Sequence, residues 1–363
     1  MAARASGITD AQIRQALEQT NGNATKAAAL VGLSPSRMRE RRIALAAAPG
    51  VEPIEVGARA RSGDITFSEP VSSKLLTSEL IERRLAEFDR VKAAHVASRI
   101  MDVYVADDLP IAVTNFGDPH LDDPGTDLRQ LISDTNVVNA TDGMYAGCIG
   151  DLQNNWIGRI AHLWGQQETT AEQSWQLVEW WIHEVKRWLY LTDGNHDHWS
   201  GNGDPLHWIT GMQGRRMIHE RNEVRIRLNF PNGFQYIIAA RHSWPGNSQW
   251  NPAHGEFKAA LMRVKADLIL SGHTHTSLDA SLYVEAHDIV TRCARVGSYK
   301  VIDRYAVELG LQNKQIAPSI TVVIDPRATT PTSRGQVFYD VDRAARYLTM
   351  LREGYQNVQS TIH

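Results

Sequence analysis

The sequence predicts an α/β chain: a body of mixed strands and helices behind a small all-α head. Three observations predict it. From residue 101 onward, apolar runs of strand length alternate with turns and amphipathic helical stretches. Before residue 48 only helical patterns occur, and that stretch is basic. The composition is that of an ordinary soluble domain, with 42% hydrophobic and 22% charged residues, and 363 residues are enough to bury a large core.

The head opens with a helix over 8–20, where Asp10 is placed to cap the N-terminus and Ile13, Ala16 and Leu17 share one face. Asn21-Gly22-Asn23 breaks it. A second, alanine-rich helix covers 24–31, with Thr25 near its start and Gly32 at its end. Ser34 caps a third, with Pro35 at its first position. It runs to about Ala47 and carries Arg37, Arg39, Arg41 and Arg42. Residues 49–70, with Pro, Gly and Ser and little apolar periodicity, read as a linker. Helix follows over 76–100, where Leu80, Ile81, Leu85, Phe88 and Val91 repeat at helical spacing.

In the body, strands are expected at 111–116, 145–149, 188–192, 268–270, 289–296 and 320–324. Segments 224–229 and 234–240 form a hairpin across Pro231-Asn232-Gly233. Helices are expected at 169–187, 255–265 and 341–353. Trp175, Leu177, Val178, Trp181 and Ile182 on the first of these read as core. The domain reading is a head at 1–48, a linker and helical connector at 49–105, a main α/β body at 106–330, and a C-terminal strand and helix packing on it at 331–363.

Charge separates the parts. Residues 1–48 hold seven Lys/Arg and three acids, a balance of +4, whereas the whole chain carries −3, which leaves −7 for the remainder. A chain basic throughout is excluded. No apolar run is long enough for a membrane helix, and the N-terminus lacks the apolar core of a secretory signal. Two cysteines, Cys148 and Cys293, exclude a disulfide framework and a cysteine zinc cluster. Reduced thiols in a cytoplasmic protein are expected.

Five short motifs each follow a predicted strand: Asp118-Pro119-His120, Gly150-Asp151, Gly194-Asn195-His196-Asp197, His242, and Gly272-His273-Thr274-His275. Strand C-termini are where α/β folds place ligand sites. The motifs offer carboxylate, imidazole and amide donors and no thiolate, which favours manganese, iron or zinc over calcium. A single GD or DxH reads as a turn or a capped helix; five in order on strand ends do not.

Through these motifs, over about residues 108–300, the chain resembles the calcineurin-like metallophosphoesterase superfamily. The resemblance implies a four-layer β-sandwich of two mixed sheets flanked by helices, with a site for two divalent ions. It implies that Asp118, His120, Asp151 and His275 ligate one ion and that Asp151, Asn195, His242 and His273 ligate the other, with Asp151 bridging. Manganese is the metal expected, with iron, zinc or nickel as the other options. Two-metal chemistry agrees: ions about 3.5–4 Å apart clamp phosphate oxygens and bring a water's pKa towards about 7, so that hydroxide attacks phosphorus. His196 is not needed as a ligand; it is expected to stabilise developing charge or protonate the leaving oxygen, with Asp197 holding its orientation. The phosphoprotein phosphatases of this superfamily carry an aspartate and an arginine soon after the GD. Here the stretch is Gly150-Asp151-Leu152-Gln153-Asn154-Asn155-Trp156, which argues against a dedicated phosphoprotein phosphatase.

Further residues lie near the motifs. Packing or loop roles are expected for His198, Trp199 and His254, and an ordinary turn for Gly297-Ser298-Tyr299-Lys300. Asn247 and Asn251 are candidate substrate contacts. Residues 242–248, HSWPGNS, resemble a stretch of phage and prophage metallophosphoesterases.

Residues 8–46 resemble a helix-turn-helix of the Fis type, through Gly22-Asn23-Ala24-Thr25-Lys26-Ala27-Ala28 followed by Val31-Gly32-Leu33-Ser34. Four arginines on the third helix suit phosphate and major-groove contacts. The plainer alternative is a three-helix protein-interaction module. A single unit would bind DNA weakly, since recognition usually pairs two half-sites, and homo-oligomerisation is compatible with the chain. The function expected is a metal-dependent phosphodiesterase or nuclease with DNA as partner and no membrane. One alternative is hydrolysis of a small phosphoester such as a cyclic nucleotide, with a regulatory head. A non-enzymatic DNA-binding protein with a degenerate site is the other, and the complete ligand set stands against it.

Overall fold

The computed structural model describes residues 7–46, 77–96, 100–199, 205–212, 217–303 and 317–362. The linker expected at 49–70 lies outside them. The chain forms two compact units, Met1–Leu76 and Thr77–His363.

The first unit holds three helices, α1 (Asp10–Gln19), α2 (Ala24–Val31) and α3 (Pro35–Ala46). Their small core joins Ile13, Ala16, Leu17, Ala27, Ala28 and Met38. The α1 cap is Thr9, not Asp10. The Thr9 hydroxyl accepts from Gln12 N–H while the Gln12 side chain accepts from Thr9 N–H, a reciprocal box that satisfies two end donors. Asp10 instead pairs with Arg41. The sequence Gly22-Asn23 has a local cause: Asn23 Oδ1 accepts from Thr25 N–H and Lys26 N–H, both at 3.2 Å, and starts α2. Gly32, at φ 69°, ends it in the left-handed region.

The second unit begins with α4 (Thr77–Val96). Its apolar positions are exposed, from 47% at Leu80 to 61% at Phe88. Two six-stranded mixed sheets follow, built from β1 (Met101–Tyr104), β2 (Ile111–Phe116), β3 (Met144–Cys148), β4 (Trp188–Thr192), β5 (Ile218–Glu220), β6 (Glu223–Asn229), β7 (Gln235–Arg241), β8 (Leu268–Ser271), β9 (Leu278–Val284), β10 (Ile289–Arg295), β11 (Ser319–Ile324) and β12 (Gly335–Phe338). One sheet runs β1-β6-β7-β8-β10-β9 and the other β12-β11-β2-β3-β4-β5. Between them Ile111, Val113, Tyr190, Ile226, Ile238, Leu270 and Val322 form the shared core.

Helices cover both outer faces and complete four layers. On one side α5 (Leu128–Ala140), α6 (Ala171–Glu184) and α9 (Val341–Ile362) bury Leu131, Val178, Trp181 and Leu348. On the other, α8 (His254–Met262) buries Ala259 and Ala260. A further helix, α7 (Pro205–Met212), adds Leu206 and Ile209 to the first of these cores. Trp181 and Ile182 are fully buried, as their helical spacing predicts. The helix expected at 169–187 ends at Glu184 because Trp188 already belongs to β4; the one expected at 341–353 continues to Ile362.

The strands missing from the sequence reading, β1, β5 and β9, are edge strands. Their residues are mostly half-exposed, so no apolar run marks them. By contrast β2, β4 and β11 are buried at every position, the pattern of strands covered on both faces.

Candidate metal centre

The five motifs converge at the C-terminal ends of β2, β3, β4, β7 and β8, drawn from both sheets. The backbone turns sharply there. Asp118, His120, Asp151, His273 and His275 all have positive φ, between 27° and 67°, a region that non-glycine residues rarely occupy. Such strain persists only where surrounding structure enforces it, and it clusters at functional sites. Glycines permit the approach of one loop to the next. A Cβ on Gly194 would lie 2.0 Å from Asp151 Oδ1, and one on Gly150 would lie 2.0 Å from Gly194 N.

Asp151 stands at the centre, 2% exposed. Its Oδ1 accepts from His196 N–H at 2.9 Å, and its Oδ2 lies 3.1 Å from His242 Nε2. His242 Nδ1 donates to the Ile149 carbonyl at 2.8 Å, which fixes the ring and turns Nε2 inward. That one nitrogen then lies 3.0 Å from Asn195 Oδ1 and 3.0 Å from His273 Nδ1 as well. One ring nitrogen makes one good hydrogen bond; several donor atoms crowded within about 3 Å of it are a candidate set for sharing a cation. Asp118 is fully buried, accepts from His273 N–H at 2.8 Å through Oδ2, and lies 3.5 Å from His275 Nε2. The His120 ring sits 5.0 Å from that of His196 and 5.3 Å from that of His275. Asp118 Oδ1 and both ring nitrogens of His120 are buried with no hydrogen-bond partner. Orphaned buried atoms of these types fit divalent ions.

The electrostatics agree. Burial pushes the Asp118 carboxyl up to about 8, with His242 opposing and the Asp151 charge adding to the rise. Burial lowers His242, but the Asp151 and Asp118 carboxylates outweigh it and raise the ring to about 10. The cluster therefore draws positive charge. Thiolate is not on offer: Cys148 and Cys293 are buried, and burial pushes both thiols up, Cys293 to about 12.

All seven ligand candidates lie in this one cluster. Donor atoms of His120, Asp151 and His196 come within 4.8 Å of one another, as do those of Asp151, His242 and His273. His196 is thus beside the donors as well as behind them. Its Nδ1 faces the Asn154 carbonyl, and Asn155 Nδ2 donates to the His196 carbonyl at 2.8 Å. Asp197 is engaged elsewhere: its carboxylate accepts from Asp151 N–H, Gly194 N–H and Leu152 N–H at 2.7–3.1 Å. It clips the two ligand loops together. Lys300 faces no open phosphate site. It is buried between Asp123 at 2.9 Å and Asp303 at 3.2 Å, and Asp303 lies 3.8 Å from His275 Nδ1. His198 lies on Asp193 and the Arg221 carbonyl.

Asn154, Asp303 and the Ile149 carbonyl were not singled out from sequence. The first and last act through backbone oxygens, which every residue has, and Asp303 sits in no motif.

In the head, Arg41 pairs with Asp10 and donates to the Ile8 carbonyl, and Arg42 donates to the Gly22 carbonyl at 3.0 Å. Arg37 and Arg39 are exposed.

Several solved structures are similar over much of the chain. The zinc-complexed Vps29 of Entamoeba histolytica is 13% identical, with 63% of this chain and 100% of that one covered and a TM-score of 0.30. The calcineurin-like phosphoesterase YfkN of Bacillus subtilis is 11% identical, with 70% and 99% covered and a TM-score of 0.37. GAP50 of Plasmodium is 10% identical, with 63% and 88% covered and a TM-score of 0.30. No curated protein sequence matches the chain. Residues 10–43 match the family of bacterial regulatory proteins of the Fis type, and with their three packed helices they are a helix-turn-helix of that kind.

Proposed function

We propose that the protein is a metal-dependent phosphoesterase that cleaves phosphodiester bonds of nucleic acid, with its head binding DNA. The observation that carries this reading is the convergence of buried donors on Asp151, several of them orphaned. Asp151 would bridge two divalent ions, with Asp118, His120 and His275 on one side and Asn195, His242 and His273 on the other. An oxygen- and imidazole-rich set suits manganese, with iron, zinc or nickel as alternatives. When bound, such ions supply charge for the phosphate oxygens and acidify water to near neutral pH.

The chain's own residues do the rest. The Ile149 carbonyl holds the His242 tautomer. The Asp197 carboxylate, through three backbone N–H groups, holds the GD and GNHD loops at fixed spacing. His196 Nε2 lies 3.9 Å from Asp151 Oδ2, and the Asn154 carbonyl holds the other ring nitrogen, so the Nε2 edge would face a phosphate bound over Asp151. A protonated His196 would give its proton to the leaving oxygen.

The helix-turn-helix and its exposed Arg37 and Arg39 support DNA as partner. The apolar face of α4 supports a homo-oligomer: a second copy of the chain would cover Ile81, Leu85 and Phe88 and bring two heads to paired half-sites.

The deciding experiment measures bound metals on the purified protein. It then assays single- and double-stranded DNA, RNA, cyclic nucleotides and chromogenic mono- and diesters with Mn²⁺. Polynucleotide cleavage abolished by a chelator is expected. Hydrolysis confined to cyclic nucleotides would replace nucleic acid by a small substrate, and a metal-free, inert protein would sink the reading.

A further inference from the structure

Beside the metal centre lies a cavity of about 390 Å³. Its walls continue directly from two ligands: Ser243 and Trp244 follow His242, and Gly272 and Thr274 flank His273. A group bound here would adjoin a phosphate held at that centre. The charged groups in the wall cancel. Arg295 donates from Nε to Glu256 Oε1 at 2.8 Å and from Nη2 to Oε2 at 2.9 Å, a bidentate pair, and Glu256 is 1% exposed. Arg295 also donates to the Pro252 carbonyl at 2.8 Å and to Thr274 Oγ1 at 3.2 Å. Four of the five guanidinium N–H groups are thus engaged and its charge is paired with Glu256, so a second phosphate finds no unpaired cation in this wall.

What faces the cavity instead is neutral and two-sided. Asn247, Gln249 and Asn251 line it with carboxamides, a group with both donor and acceptor that matches the edges of heterocyclic bases, although the Asn251 oxygen is already engaged by the loop. The loop that carries them is braced from within. Ser248 Oγ accepts from Trp250 N–H and Asn251 N–H, and Asn251 Oδ1 accepts from Ala253 N–H, leaving its amide nitrogen as a donor. In sequence between Gln249 and Asn251, and outside the cavity wall itself, is Trp250, 93% exposed. An indole this bare contributes nothing to the core, and its face is a platform on which a base can stack.

We propose that this cavity is a nucleobase subsite: it takes one base of the substrate by amide hydrogen bonds, with Trp250 stacking at its edge, while the adjoining phosphate lies at the metal centre. The proposal rests on the phosphoesterase reading for the placement of that phosphate. It makes the substrate a nucleotide-bearing diester rather than any diester.

The test compares two esters on the full chain with Mn²⁺: the p-nitrophenyl ester of thymidine 5′-monophosphate, and methyl p-nitrophenyl phosphate, which has no base. The readout is the ratio of their kcat/KM values. In Trp250→Ala, and separately in Asn247→Ala/Asn251→Ala, that ratio should fall by about tenfold, the scale of a single base–aromatic stack, chiefly through KM for the nucleotide ester. An unchanged ratio in both variants overturns the subsite. Calorimetric titration of thymidine 5′-monophosphate into the manganese-loaded protein provides a readout independent of turnover. Saturable binding weakened in the same variants supports the subsite, even if neither ester is cleaved and the phosphoesterase reading fails. No binding, or equal binding in all variants, sinks it.

Discussion

At the residue scale the centre is a problem of charge. Buried carboxylates are costly without compensating charge, and Asp151 is the carboxylate that His120, His196, His242 and His273 approach. Asp151→Asn keeps the volume and removes the bridging charge. Metal content by elemental analysis should fall and turnover should vanish; normal stoichiometry with normal turnover would refute the bridging role. His196 presents a sharper choice, because it lies both beside His120 and Asp151 and on the Asn154 carbonyl. His196→Ala should retain most of the metal and lose roughly two to four orders of magnitude in turnover, the range of a positioned acid or base. Diesters with poor leaving groups should suffer more than nitrophenyl esters. Loss of metal in this variant would make His196 a ligand instead.

At the element scale, strand ends and short loops do the positioning. Left-handed backbone at Asp118, His120, Asp151, His273 and His275 turns each side chain off its strand into a common space. Helix α4 raises a different question, since an amphipathic helix alone in water is marginal and gains its stability from packing. A double change, Ile81→Glu/Phe88→Glu, places charges on the exposed apolar face. Light scattering on the full chain should show a dimer for the parent and a monomer for the variant, and DNA affinity should drop with it. A parent chain that is monomeric at micromolar concentration would remove the pairing role from α4.

At the scale of the whole molecule, the chain joins a basic head to an acidic body, and no helix among the described residues is long and apolar enough to cross a membrane. Removing residues 1–48 should leave hydrolysis of a small chromogenic diester nearly unchanged, because every candidate ligand lies beyond residue 117. DNA affinity should fall. The slope of log affinity against log salt should flatten by about 0.9 for each phosphate that the head had neutralised. A salt titration of both chains reads this directly; identical slopes would return residues 8–46 to the protein-interaction role.

How much of this was legible beforehand follows from the range of the interactions. The three head helices, the buried central strands and the order of the five motifs were readable, because caps, apolar periodicity and short polar motifs are local properties of the chain. So was the donor chemistry, since residue types alone exclude thiolate. The edge strands β1, β5 and β9 were not, since an edge is defined by a missing neighbour and carries no apolar signature of its own. Nor was the task of Asp197, which adjacency in sequence assigned to His196 and the fold assigns to three backbone N–H groups. The Ile149 and Asn154 carbonyls, Asp303 behind His275, and the Glu256–Arg295 pair beneath the amide-lined cavity likewise depend on loops from distant strands meeting. Sequence named the donors; only the pairing of two sheets, a long-range event that no local propensity encodes, decided which way each of them points.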